Sequence, residues 1–273
     1  MARRLTLIAG SGALAPLVAA AARRTGEPLQ VLDLVGRNDL TGDQVLPVSL
    51  SDADAIVAAV KAFRTTHLVM AGGVRISDAD REGLAKAFGL AGRLARSLGD
   101  LGLAGMILLY SRMIGIKLIG AQDVAPDLLA PEGHIAGPRL DPALTGVATT
   151  ALNGARAIGA IDLGQSVVFA GSRAIAAEDA GGTDALLIRV GALRDSGLTG
   201  NGNAPLILAK ALKPKQPKFA DLPAIGPQTI ANAAAAGIRV VVLEAKRCLL
   251  LDRAAIEAEA AARGVTVVGL RHG

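Results

Sequence analysis

The stretch LTLIAGSGALAPLVAAAARR, Leu5 to Arg24, decides how the rest of the chain is read. Arg3 and Arg4 precede an uncharged run, as in a secretory signal. Against that, Gly10-Ser11-Gly12 and Pro16 interrupt the apolar helix that a signal requires. The alanine-rich composition is also weak for a membrane span. The next residues, TGEPLQVLDLVG, read as a turn and a second strand. Strand, glycine turn, helix, turn and strand make the opening unit of a parallel α/β sheet.

Working outward, the alternation continues. SDADAIVAAVKAFRTT predicts a helix capped by Ser51 or Asp52. HLVMAGGV predicts a strand ending in a double glycine, and DADREGLAKAFGLAGRLARSLG a helix. IKLIGAQDV predicts a further short strand. Such alternation argues for a parallel sheet wrapped by helices. The pattern pauses over residues 130–143, where three prolines and two glycines fall in fourteen residues. The expected organisation is an N-terminal α/β domain over 1–133, a linker over 134–143 and a mixed α/β domain over 144–273. In the second half, an alanine-rich helix near Thr145 to Ile158 precedes the hairpin QSVVFAGSRAIAAED and the helix GTDALLIRVGALRDSG. A strand in APLILAKAL, a proline-rich loop, the helix QTIANAAAAG, two strands in IRVVVLEAKRCLLLD, a helix over Arg253 to Arg263 and the strand VTVVGL complete it.

Composition narrows the function classes. The 273 residues are 51% hydrophobic but only 2% aromatic, with a net charge of +5. Few aromatic platforms and a dispersed positive charge argue against nucleic acid as a partner. They favour an anionic small ligand or an anionic membrane surface. Cys248 is the single cysteine, expected as a small buried core residue. A lone cysteine makes no internal disulfide, which agrees with a reducing cytoplasm. His67, His134 and His272 show no metal-ligand spacing.

Several short motifs carry chemistry. Gly10-Ser11-Gly12, extended through Ala15, fits the loose G-x-G-x-x-A pattern of a phosphate- or dinucleotide-binding turn. Asp33 lies at about the 20-residue distance at which a ribose-binding acid is expected in dinucleotide sites. Gly72-Gly73-Val74-Arg75 ends another strand, so Gly72 and Arg75 are expected to face the same crevice, with Arg75 available to a phosphate. Gln122-Asp123 ends a third strand, where Asp123 serves equally well as a turn cap. Thr183-Asp184 opens a helix, with Glu178 and Asp179 just ahead. These three carboxylates suit either a divalent cation or an ordinary hydrated turn. Lys210, Lys213, Lys215 and Lys218 place four cations in nine residues, stiffened by Pro214 and Pro217 and followed by Asp221. Such a loop suits a phosphorylated substrate with a metal or a water at the carboxylate. Glu244 ends RVVVLE and is a second candidate ligand.

The ordered set LIAGSGALAPLVAAAARRTG, LVMAGGVR, GAQDVAPDLLAPEG, GGTDALLIRVGALR and KALKPKQPKFADLPAIGPQTI resembles the bacterial UDP-2,3-diacylglucosamine pyrophosphatases of the LpxI type. The resemblance spans nearly the whole chain. It implies a Rossmann-like N-terminal domain and a C-terminal domain of a fold peculiar to the family, with substrate held between them. It also implies a cytoplasmic enzyme of lipid A biosynthesis that uses Mg²⁺ to hydrolyse UDP-2,3-diacylglucosamine to UMP and 2,3-diacylglucosamine 1-phosphate (lipid X). The family's key aspartate falls on Asp221, its Thr-Asp-Ala on Thr183 and Asp184, and its first glycine turn on Gly10 and Gly12. The chain departs from the pattern at Gly73, at Pro217 and Phe219, and at Gly181-Gly182. Together these readings assign Asp221, Lys213 and Asp184 to catalysis. Substrate binding falls to Gly10, Gly12, Gly72, Arg75, Gln122, Thr183 and Lys210, and metal binding to Asp221, Glu178 and Glu244. An acylated substrate implies transient contact with the inner membrane surface through basic residues. Assembly into a homo-oligomer stays open. The rivals are an NAD(P)-dependent oxidoreductase built on the Gly10 turn and a non-catalytic lipid- or nucleotide-binding protein.

Overall fold

The computed structural model describes residues 3–40, 44–74, 80, 107–108, 110–199, 205–214 and 222–272. The described residues divide into two compact units, one ending at Pro126 and the other beginning at Asp127.

The first unit is built on five parallel strands: β1 (Leu5–Ala9), β2 (Leu29–Asp33), β3 (Gln44–Pro47), β4 (His67–Ala71) and β5 (Lys117–Ile119). Their order is β3-β2-β1-β4-β5. This is the doubly wound arrangement, with its topological switch point between β1 and β4. The central strands are buried on both faces, which is why LTLIA and LQVLD read as continuous rather than alternating apolar runs. Leu5–Ala9 is therefore an internal strand of the sheet. Helix α1 (Leu14–Arg24) packs Val18, Ala19 and Ala22 towards the sheet. Helix α2 (Ala53–Ala62) is capped by Asp52, whose side chain accepts from Ala55 N at 3.0 Å. Edge strand β3 ends in Pro47, where a missing N–H costs no ladder bond. A one-turn helix α3 (Ala121–Val124) follows β5. The helix expected over residues 78–99 lies outside the described residues apart from Asp80.

The second unit is a six-stranded mixed sheet in the order β6-β13-β11-β9-β7-β8, with a small parallel pair β10 and β12. The ranges are β6 (Gly133–Ala136), β7 (Ser166–Ala170), β8 (Arg173–Ala177), β9 (Leu206–Lys210), β10 (Ala224–Ile225), β11 (Ile238–Glu244), β12 (Leu249–Leu250) and β13 (Thr266–Leu270). Strand β11 is parallel to β9 and β13, whereas β6, β7 and β8 run antiparallel to their neighbours. Alternating residues of β11 face opposite layers. Val240 and Val242 pack with Ala148, Ala151, Leu152 and Ala155 of α4 (Thr145–Ala160). Val241 and Leu243 pack with Leu186, Leu187 and Val190 of α5 (Gly182–Asp195), Ile230 of α6 (Pro227–Ala235) and Ile256 of α7 (Arg253–Arg263). Gly154 lets α4 lie close to the sheet: a Cβ there would stand 2.7 Å from the Phe169 ring. Cys248 is buried as expected, and burial pushes its thiol up to about 12.

Part of the stretch expected as a linker has structure of its own. His134 to Ala136 belong to β6, which pairs with β13, and Ile135 and Ala136 are buried. A 3-10 turn covers Pro142–Leu144, capped by Asp141. The flanking glycines and prolines mark the turns around this short strand.

Candidate functional site

In the first unit the two glycine turns meet at the switch point. Ser11 N donates to Gly73 O at 2.8 Å and Gly73 N donates to Ser11 O at 3.0 Å. The Ser11 hydroxyl also donates to Gly73 O. A Cβ on Gly10 would lie 2.5 Å from Gly73 O, and one on Gly72 would collide with the carbonyl of Ser11. Gly12 and Gly72 have φ of 85° and 94°, which favour glycine. Gly10, Gly12 and Gly72 thus come together as expected, and backbone-to-backbone closeness accounts for Gly10 and Gly72.

The acid expected to read a ribose is engaged elsewhere. Asp33 is buried at the end of β2 and accepts the N–H groups of Val35, Gly36 and Arg37. Arg37 reaches back to the Gly10 carbonyl at 2.5 Å and grips Asp39 with two hydrogen bonds. Those bonds hold the guanidinium pKa above its ordinary value and the Asp39 carboxyl below its own. The loop after β2 is therefore tied to itself and to the glycine turn. Beside it lies a cavity of about 350 Å³ lined by Ser11, Leu34, Val35, Leu50, Gly73, Val74 and Asp80. Among the described residues this lining is mostly apolar, with Asp80 its one charged side chain. Gln122 is half-buried in the turn after β5, where Asp123 accepts from Gly120 N at 2.9 Å as a cap.

In the second unit the strand ends gather a polar cluster. Lys210, the last residue of β9, is buried, and its ammonium donates to Thr183 Oγ1 at 2.7 Å. Thr183 lies in the first turn of α5. Gly181 holds the N-cap and offers no side chain, so the threonine hydroxyl faces Lys210 instead of capping the helix. Thr183 Oγ1 also approaches Glu178 Oε2 and Ser166 Oγ, each at 3.3 Å. Glu178 and Ser166 are both buried. Sequence reading selects Lys210, Thr183 and Glu178 but misses Ser166, which sits in an apolar strand with nothing local to single it out.

The remaining expected residues have other partners. Asp184 is exposed and accepts from Asn232 of α6 at 3.0 Å. Lys213 pairs with Asp162 at 2.8 Å. Glu244 is 2% exposed, and both of its oxygens are taken by protein groups: Arg156 at 2.6 Å and the Leu212 amide at 3.0 Å. Arg247 adds a second cation at 3.4 Å. Glu244 thus braces the chain leaving β9. Among the described residues no group of three Asp, Glu, His or Cys side chains is placed to hold a metal ion. The described acids therefore do not by themselves fit Mg²⁺. Asp221, Arg75, Lys215 and Lys218 lie outside the described residues.

No helix among the described residues is long and apolar enough to cross a membrane. The family models for the LpxI N-terminal domain and the LpxI C-terminal domain match residues 4–128 and 131–268. The chain is 33% identical to "UDP-2,3-diacylglucosamine pyrophosphatase LpxI" of Caulobacter vibrioides, over 98% of each protein. Among solved structures, the Bordetella bronchiseptica enzyme WbmG in complex with NAD and UDP aligns with 32% of this chain and 34% of its own. The identity is 22% and the TM-score 0.26, too low to carry an argument. With both family models matched in order and a relative aligned nearly end to end, the chain belongs to the LpxI family.

Proposed function

We propose that the protein hydrolyses the pyrophosphate of UDP-2,3-diacylglucosamine, yielding UMP and 2,3-diacylglucosamine 1-phosphate in lipid A biosynthesis. The observation that carries this reading is the Lys210 ammonium held 2.7 Å from Thr183 in the first turn of α5. A fixed cation beside the positive end of a helix favours developing negative charge on phosphoryl oxygens. The named activity of the Caulobacter relative supplies the substrate.

The parts follow from charge and burial. Thr183 is half-buried and stands between Lys210 and Glu178, so its hydroxyl is oriented before substrate arrives. Lys210 acts from behind it as a desolvated charge. Asp221 is assigned by the family resemblance to the attacking water or to a metal. Mg²⁺ belongs to the proposal on the same ground; when bound it would neutralise diphosphate charge. Glu178 is the described acid nearest in role. Localisation in the cytoplasm, with transient contact at the inner membrane surface, completes the reading.

The oxidoreductase alternative, built on the Gly10 turn, lacks its ribose-binding acid, because Asp33 spends its carboxylate on its own loop. UMP release assayed with and without EDTA, for the natural protein and Asp221→Ala, tests the proposal. Loss of release in both the chelated and the substituted samples is expected. Full turnover by Asp221→Ala would remove Asp221 from the centre, and full turnover in EDTA would remove the metal.

A further inference from the structure

We propose that Ser166 is a positioning residue that sets the Thr183 hydroxyl and, through it, the Lys210 ammonium. This rests on the reading of Thr183 and Lys210 as parts of the hydrolytic site.

Ser166 joins the cluster in three ways at once. Its backbone carbonyl accepts Glu178 N–H at 2.8 Å. Its Cα stands opposite Lys210 in the antiparallel register of β7 and β9. Its hydroxyl meets Thr183 Oγ1 at 3.3 Å. Ser166 thus meets Glu178 by backbone, Lys210 by register and Thr183 by side chain. Gly164 supports this geometry, since a Cβ there would lie 2.5 Å from the Glu178 carbonyl oxygen.

Proton accounting fixes the direction of each bond. A threonine hydroxyl has one proton and two lone pairs. Lys210 carries only donors, so it takes one lone pair at 2.7 Å. The Glu178 carboxylate is the stronger acceptor for the single proton. Ser166 must then donate into the second lone pair. With all three valences used, the Thr183 hydroxyl cannot rotate without losing a bond in a site whose other members are buried. Removing the Ser166 hydroxyl frees that rotation and loosens the Lys210 ammonium, while the apolar packing of β7 is untouched.

The test is a four-protein cycle of natural protein, Ser166→Ala, Thr183→Ala and the double variant, assayed for UMP release from UDP-2,3-diacylglucosamine. Ser166→Ala is expected to lower kcat about tenfold with KM within about twofold, the effect of losing one oriented hydrogen bond. The double variant should be no worse than Thr183→Ala, because Ser166 acts through Thr183. Full kcat in Ser166→Ala, or multiplicative losses in the double variant, would overturn the proposal. Should Ser166→Ala not fold, Ser166→Cys, near-isosteric and a weak donor, carries the same cycle. A second readout does not depend on activity. Lysine-selective NMR should show a slowly exchanging Lys210 ammonium in the natural protein that shifts or broadens in Ser166→Ala. An unchanged Lys210 signal overturns the positioning part. If the natural protein releases no UMP, the functional reading fails and the NMR comparison still decides the part played by Ser166.

Discussion

Asp33 and Arg37 are bound to each other across one loop: the Asp33 carboxylate accepts Arg37 N–H at 2.6 Å, and the Arg37 side chain turns back to the Gly10 carbonyl. Two residues that a nucleotide site would use on its ligand are used instead to close the first βα crevice upon itself. No NADH binding is therefore expected. Titration calorimetry should show no saturable heat with NADH. Micromolar binding would show that the loop opens and would restore the dinucleotide reading.

The same carboxylate supports stability. Asp33→Ala removes the acceptor of three N–H groups in the loop after β2 and should cost about 1–3 kcal/mol in urea unfolding. Asp33→Asn, which keeps one good acceptor, should cost less. Equal loss in both variants would mean that the charge, rather than the capping, matters.

Gly10→Ala puts a methyl group 2.5 Å from Gly73 O and 2.9 Å from the Gly72 carbonyl, against backbone. Overpacking of this kind costs about 1–3 kcal/mol. Thermal unfolding should fall accordingly, whereas Ser11→Ala, which loses one hydroxyl bond to the same carbonyl, should fall by less. An unchanged melting temperature for Gly10→Ala would show that the two turns do not meet as described.

Glu244→Gln separates a brace from a metal ligand. The amide keeps an acceptor for the Leu212 N–H but loses the charge that holds Arg156. Stability should drop by about 1–3 kcal/mol. The Mg²⁺ concentration for half-maximal UMP release should stay the same. A rise of tenfold or more would return Glu244 to the metal.

His67 supplies a pH signature. Desolvation, helped by Arg3 and Lys117, pushes its pKa below the ordinary value of 6.5. A base whose folded pKa is depressed favours folding fully above its unfolded pKa and loses that contribution as pH falls through it. Unfolding free energy should therefore decline as pH drops below about 6.5. His67→Gln should flatten this step. An unaltered slope would place the acid sensitivity elsewhere.

The β1–turn–α1 unit was legible because an apolar run, a glycine turn and a helical apolar face are local signals. Asp52 as a cap and Asp123 as a turn brace were legible for the same reason. Strand β6 was not, since its partner β13 lies about 130 residues on and its flanks carry turn residues. The strand-end position of Glu244 was legible, but its engagement with Arg156, 88 residues away, was not. Ser166 was invisible for a related reason. Its importance comes from cross-strand register with Lys210 and from contact with the next helix, and neither leaves a pattern in VVFA. The signal at Asp33 is its spacing from the glycine turn, and spacing does not tell whether a carboxylate faces a ligand or its own backbone.

The central claim is pyrophosphate hydrolysis, and product analysis tests it most directly. The purified protein is incubated with UDP-2,3-diacylglucosamine and Mg²⁺, and UMP and 2,3-diacylglucosamine 1-phosphate are quantified together by mass spectrometry. Equimolar appearance of the two products is expected, with release reduced at least about a hundredfold in Lys210→Met, which removes the buried charge beside Thr183. Full release by Lys210→Met would remove Lys210 from the site; intact substrate after prolonged incubation with the natural protein would contradict the central claim.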